Sequence, residues 1–204
     1  MLNKTRKKMA NPTTRETILA AIGRGKPDLL PLPETIGFPP NISADNLVDS
    51  FMKMVQTNGG QAIRVTSLAE ASAFLSEEYD LTLPILSRVP GLEISNFTPQ
   101  EDLRLLVDLH LVVLQGIVGV AENAAIWLDE TAIGIRAMPF ITLNLSIVLS
   151  EKNLVGNMHE AYRLIDTSTG FGTFIAGPSK TADIEQSLVI GAHGSKTLTV
   201  FLLP

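Results

Sequence analysis

Apolar residues recur along this chain at two spacings, three-to-four and two, and the two spacings alternate. Leu47, Val48, Phe51 and Val55 form one helical stripe, which stops at Gly59-Gly60. Ala62 to Val65 then reads as a short strand. Ser67 with Glu70 gives the Ser-x-x-Glu capping box of a second helix, through about Ser76. Leu83 to Leu86 is again strand-like despite Pro84, and Thr98-Pro99-Gln100-Glu101 opens another helix with Pro99 at its first position. From Leu109 to Val120 the apolar run is nearly continuous. A second run, Ala125 to Leu128, follows it, so two central strands are expected, bent around Glu122-Asn123. Ile141 to Leu149 is a strand. Asn157 to Glu160 caps a helix with Met158, Ala161, Tyr162 and Ile165 on one face. Thr173 to Ala176 is a strand, Ala182 to Ile190 a helix and Thr197 to Leu203 the closing strand. Strands alternating with helices in this way predict an α/β fold with a mainly parallel sheet covered on both faces.

The first 42 residues break this rhythm. Thr14 to Ile22 is a short helix with Ile18, Leu19 and Ile22 on one face, closed by Gly23 and Gly25. Residues 27–41 then hold Pro27, Pro31, Pro33, Pro39 and Pro40, a density that excludes a helix and predicts an extended linker. The expected organisation is a peripheral segment at 1–42 and one α/β domain at 43–204.

Composition narrows the chemistry. A net charge of −5 over 204 residues makes general nucleic-acid affinity unexpected. The basic arm of Lys4, Arg6, Lys7 and Lys8 is either a phosphate contact or a solvated tail. No apolar run reaches the roughly 18 residues of a membrane span, and no secretory signal is recognisable, so a cytoplasmic location is expected. There is no cysteine, and therefore no thiolate for an iron–sulfur cluster or a zinc site in this chain. His110, His159 and His193 are too dispersed for a zinc motif, so no metal is expected. No dinucleotide or Walker loop is present, and the composition names no cofactor.

Candidate chemistry concentrates in residues 171–194. The strand ending at Ala176 empties through Gly177-Pro178 and Ser179-Lys180-Thr181 toward the helix expected at Ala182. Backbone N–H groups, two hydroxyls and Lys180 at such a corner suit an anion or other small ligand. Ordinary turn and capping chemistry explains the same residues. Asp183 and Glu185 suit the first turn of the expected helix. His193, between Gly191-Ala192 and Gly194, can be turned back toward Ser179, as a structural or a catalytic group. Glu122, between two apolar runs, is either a desolvated carboxylate fit to act as a base or a strand-end acid in solvent. Arg136 could bind a carboxylate or be an exposed loop residue.

The block Gly177-Pro178-Ser179-Lys180-Thr181-Ala182-Asp183-Ile184-Glu185, followed by Gly191-Ala192-His193-Gly194 and a last strand, resembles the signature of the lactate-utilisation protein C family, the LUD domain proteins. The resemblance covers about residues 40–204. Ala121-Glu122 also matches the family, whereas Asn123-Ala124 stand where its members carry a hydroxyl residue and glycine. It implies a three-layer α/β/α fold similar to the ribose-phosphate isomerase, glucosamine-phosphate deaminase and CoA-transferase group. It further implies a place in a bacterial system that oxidises L-lactate to pyruvate alongside iron–sulfur subunits, with this cysteine-free chain as the cluster-free, accessory or ligand-binding component. The alternative is an independent enzyme of the isomerase or CoA-transferase type. Its catalytic groups would be Glu122 and His193, and a small phosphate, CoA-linked or carboxylate ligand would lie against Gly177, Pro178, Ser179, Lys180, Thr181 and Asp183. Convergence of Glu122, Ser179, Thr181 and His193 on one pocket at the carboxyl end of the sheet is expected.

Overall fold

The computed structural model describes residues 13–28, 30, 42–99, 103–168, 170–181 and 189–204. The basic arm, most of the proline-rich linker, Gln100-Glu101 and residues 182–188 of the expected 182–190 helix lie outside these residues. The chain divides into two units, Met1–Gly37 and Phe38–Pro204, which are described separately.

In the first unit, helix α1 (Thr14–Gly25) starts with a reciprocal capping box. Thr13 N donates to Glu16 Oε2 at 2.7 Å, and Glu16 N donates to Thr13 Oγ1 at 3.3 Å. Gly23 does not end the helix as expected. It continues to Gly25 with none of its residues buried.

The second unit runs through helix α2 (Leu47–Thr57), strand β1 (Gln61–Arg64), helix α3 (Leu68–Glu78) and strand β2 (Ile85–Ser87). A 3₁₀ turn at Leu103–Asp108 leads to β3 (Leu111–Gln115), β4 (Val118–Val120) and β5 (Ile126–Asp129). Next come the one-turn helices α4 (Glu130–Ile133) and α5 (Met138–Ile141), then β6 (Asn144–Ser150), β7 (Leu154–Val155) and helix α6 (Met158–Leu164). Four strands finish the chain: β8 (Gly172–Ile175), β9 (Lys180–Thr181), β10 (Val189–Ile190) and β11 (Thr197–Leu203).

Five of these strands form one wholly parallel sheet in the order β1-β11-β6-β3-β2. Their apolar runs are continuous because both faces are covered. Val112, Leu114, Leu145, Ile147, Leu149, Leu198 and Val200 face a cluster that includes Phe51 and Val55 of α2. Leu111, Val113, Val148 and Phe201 face Ala71 and Leu75 of α3, and Phe74 sets its ring edge-on to Phe201 at 5.6 Å. Ser67 caps α3 through Glu70 N at 3.3 Å, and the helix outlasts the expected end at Ser76 by two residues. The architecture is the expected three-layer α/β fold with a mainly parallel central sheet.

One sequence expectation needs correcting. The apolar run from Leu109 to Val120 is not a single central strand. Gly116 ends β3, and the chain there leaves the parallel sheet for a second sheet ordered β7-β4-β5-β8. A Cβ at Gly116 would lie 2.8 Å from Ile126 Cγ2, so the two sheets approach too closely there for a side chain. In the second sheet β5 is antiparallel to both β4 and β8, while β4 and β7 are parallel. Its inner residues Ile126, Leu128 and Ile175 join the core of the parallel sheet. On its outer face Val118, Val120, Ala125 and Trp127 cluster with Ala161 of α6.

Candidate functional site

Gly177 sits where β8 leaves the second sheet. Its φ of +91° lies in the left-handed region, and a Cβ there would come 2.8 Å from Asn58 O. Glycine is required twice over, by conformation and by contact. The turn it makes is tied down on both sides. Ser179 N donates to Ser195 O at 2.9 Å, Gly191 N donates to Ser179 O at 3.0 Å, and Asn58 Nδ2 donates to Asn123 O at 2.8 Å. Asn58 thus joins the end of α2 to the Gly177 turn and to the β4–β5 turn. Lys180 is exposed and extends over the end of α2, where a Cβ on Gly59 would be 3.6 Å from its Nζ. A cation at a helix C-terminus is favourable without any ligand.

These residues do not open a helix in the expected way. Lys180 and Thr181 form β9, which pairs antiparallel with β10, so Val189 and Ile190 are strand rather than helix. Residues 182–188, Asp183 among them, lie outside the described residues. The anion-site argument from outward N–H groups loses one donor directly, since Ser179 N is spent on Ser195 O.

A cavity of about 290 Å³ lies at this corner, lined by Phe140, Phe174, Ser179, Lys180, His193 and Ser195, with Gly177 at its wall. The structure therefore brings Ser179 and His193 together. Thr181 and Glu122 do not line this cavity. Pro178 is buried in the turn and His193 is exposed. The position of the cavity also differs from expectation. Ser195 precedes β11 and Phe140 precedes β6, so the corner is at the amino end of the parallel sheet. The reason is topological: the strand before Gly177 belongs to the second sheet, and only the strand after Gly194 belongs to the parallel one.

Glu122 is exposed, not enclosed by the apolar runs beside it. Its Oε1 accepts the Met158 N–H at 2.7 Å, at the start of α6, where Asn157 Oδ1 also accepts Glu160 N at 3.0 Å. A carboxylate there satisfies an otherwise orphan helix donor and meets the positive end of the dipole. Ala124 in the same turn has a left-handed backbone, with φ of +58°. Arg136 pairs with Glu130 at 2.8 Å and lies over the Phe171 ring at 5.3 Å, so its charge is engaged. His110 is half-buried against Tyr79, with ring centroids 6.0 Å apart, and His159 is exposed. Among the described residues no group of three or more His, Asp or Glu could hold a metal ion, and no helix is long and apolar enough to cross a membrane.

Asn58 is the contributor that sequence reasoning missed. It reads as an ordinary residue between a helix stripe and Gly59-Gly60, and only tertiary structure shows it joining two distant turns.

A three-layer α/β unit closed by a Gly-Pro-Ser corner and a Gly-x-His-Gly turn defines the class of protein. The sequence model of the LUD domain matches residues 98–203, and the chain belongs to that family. It is 45% identical over 53 residues to a protein of Shouchella clausii (strain KSM-K16) named Lactate utilization protein C; that stretch is 23% of this chain and 23% of the relative. Most of the relative's length thus lies outside the match. The crystal structure of a DUF162 family protein from Deinococcus radiodurans superposes with a TM-score of 0.62 at 17% identity, over 80% of this chain and 99% of that one. At that identity the likeness is one of fold.

Proposed function

We propose that this chain is a cluster-free, ligand-binding component of a bacterial system that oxidises L-lactate to pyruvate, acting in the cytoplasm beside iron–sulfur subunits. The observation that carries the reading is the LUD domain match at residues 98–203, which spans the whole Gly-Pro-Ser to Gly-x-His-Gly block. The 45% identical stretch shared with a protein named Lactate utilization protein C supports it. Without cysteine the chain has no thiolates for a cluster, so in this reading the clusters belong to the other subunits. The ligand in this reading is a small carboxylate or phosphate held at the amino-edge corner, with Ser179 Oγ, Lys180 and His193 as its polar contacts.

The alternative of an independent enzyme finds less support. Its base, Glu122, is engaged by Met158 N and does not line the corner cavity. Affinity purification of the tagged full chain from its native cell tests the proposal. Iron–sulfur subunits should come with it, and the purified chain alone should not reduce a dye with L-lactate. Dye reduction that scales with the isolated chain, and is absent from a mock preparation, overturns it.

A further inference from the structure

At the carboxyl end of the parallel sheet three neighbouring strands finish in polar residues. Arg88 follows β2, Gln115 ends β3, and Asn153 lies in the turn after β6. With Asp129 and Thr131 at the start of α4 they surround a groove of about 460 Å³, a size usual for small-molecule sites. Open α/β sheets bind ligands at this end, because loops from several strands converge there. Gln115 is exposed although Leu111 to Leu114 before it are wholly buried, so β3 is uncovered only at its carboxyl end.

Arg88 gives the groove its chemistry. Its Nη2 donates to Thr131 O at 3.0 Å, which fixes the guanidinium and leaves most of its five donors unspent. The group lies against Gly134, where a Cβ would come 3.0 Å from Arg88 Cζ, and the φ of +76° there also favours glycine. Among the described residues no carboxylate is within ion-pair distance of Arg88. Asp129 shares the groove, with its Oδ1 accepting Ala132 N at 2.7 Å. One guanidinium beside one carboxylate favours a singly charged anion over a doubly charged one. The planar guanidinium fork matches a carboxylate. The amides of Gln115 and Asn153 have no hydrogen-bond partner among the described residues, and are available for a second ligand oxygen.

We propose that this groove is a second binding site, taking a small monocarboxylate whose carboxylate is held by Arg88 and whose further oxygen is read by Gln115 and Asn153. It is a different cavity from the Ser179–His193 corner and does not depend on the function proposed above. The test is a titration of the ¹⁵N-labelled full chain with acetate, L-lactate and inorganic phosphate, followed by amide chemical shifts. Acetate and L-lactate should shift Arg88, Gly116, Ile117 and Ala132 saturably, with L-lactate tighter than acetate and phosphate weakest. Arg88→Gln should weaken carboxylate binding about tenfold or more, as expected for a lost charge-assisted pair, and Arg88→Lys should weaken it less. Ser179→Ala and His193→Ala should leave these shifts unchanged. Gln115→Leu should weaken L-lactate but not acetate, and this reads the site even if Arg88→Gln fails to fold. No saturable shift, unchanged binding in Arg88→Gln, or phosphate binding as tightly as acetate overturns the proposal. None of those results bears on whether iron–sulfur subunits accompany the chain.

Discussion

At the amino end of the parallel sheet, Gly177 lies against the Asn58 backbone, Ser179 is bonded to Ser195, and Asn58 holds the Asn123 turn. At the carboxyl end, Arg88, Gln115 and Asn153 stand around an open groove, where Arg88 makes one hydrogen bond to the wall and the two amides make none among the described residues. The family motif therefore lies on the more tightly tied of the two ends. Much of what Gly177, Pro178 and Ser179 do there is architectural: they join the end of β8 to the loop before β11 and to the end of α2. Among the described residues, the side chains left over for binding at that end include Ser179, Lys180 and His193. The carboxyl end has the opposite character, with polar side chains that the fold does not use.

If this contrast is right, substitutions at the amino end should cost stability in proportion to the ties they cut. The largest effect is expected at Gly177→Ala. A residue with a Cβ loses about 1–2 kcal/mol in the left-handed region. Overcrowding adds about 1–3 kcal/mol, because the neighbour at 2.8 Å is backbone and cannot rotate away. A loss of roughly 2–5 kcal/mol should appear as a lower urea midpoint with an unchanged slope. A loss below about 1 kcal/mol would mean that the corner adjusts freely, and the contrast between the two ends would fail.

Asn58→Ala should come next, at about 1–2 kcal/mol, because the part-buried 2.8 Å bond to Asn123 O is lost and that carbonyl is left without its partner. If the tie through Asn58 is what joins the two turns, amide exchange should quicken at both Ala125 and Ser179. Faster exchange at one turn only would show that the turns are held independently.

Much of the fold was legible because burial imposes a period. The closing strand at Thr197–Leu203 and the α2 stripe of Phe51 and Val55 fall where the apolar spacing put them. The corner was harder to read. Thr173 to Ala176 reads as a strand, but alternation does not say which sheet a strand joins, and that membership decides which end of the parallel sheet the motif occupies. Lys180-Thr181 and Val189-Ile190 are too short for their period to separate strand from helix. The sequence left Glu122 open between an enclosed and a solvent-facing carboxylate, because its apolar neighbours in sequence are not its neighbours in space: the turn lifts its side chain toward the α6 terminus. Arg88, as an exposed loop residue, has no pattern around it. Its signal was its place directly after a buried strand, where the carboxyl-end rule applies.

Between the two ends, Ser146 sits wholly buried in the middle of β6, and its Oγ has no hydrogen-bond partner among the described residues. It separates a general weakness of the sheet from a property of its edges. Removing a buried, unsatisfied hydroxyl removes a desolvation cost, so Ser146→Ala should stabilise the protein by about 1 kcal/mol. In a domain of this size that corresponds to a melting temperature roughly 2–4 °C higher. Destabilisation instead would reveal a partner for the hydroxyl and a polar tie running through the core.

The smallest effect is expected at the carboxyl end, and it sharpens the comparison by setting one amide against another. Gln115 and Asn58 both end a regular element with a side-chain amide. Asn58 is part-buried and bonded, whereas Gln115 is exposed and has no partner among the described residues. Removing an exposed amide that bonds nothing changes stability by about 0.5 kcal/mol at most. Gln115→Ala should therefore unfold at the same urea concentration as the parent, within error, when no ligand is added. Adding L-lactate should then raise the midpoint of the parent more than that of the variant, since a ligand stabilises more the more tightly it binds the folded state. A clear loss of stability in ligand-free Gln115→Ala would mean that the groove is tied together after all. The two ends of the sheet would then differ in shape but not in how they are held.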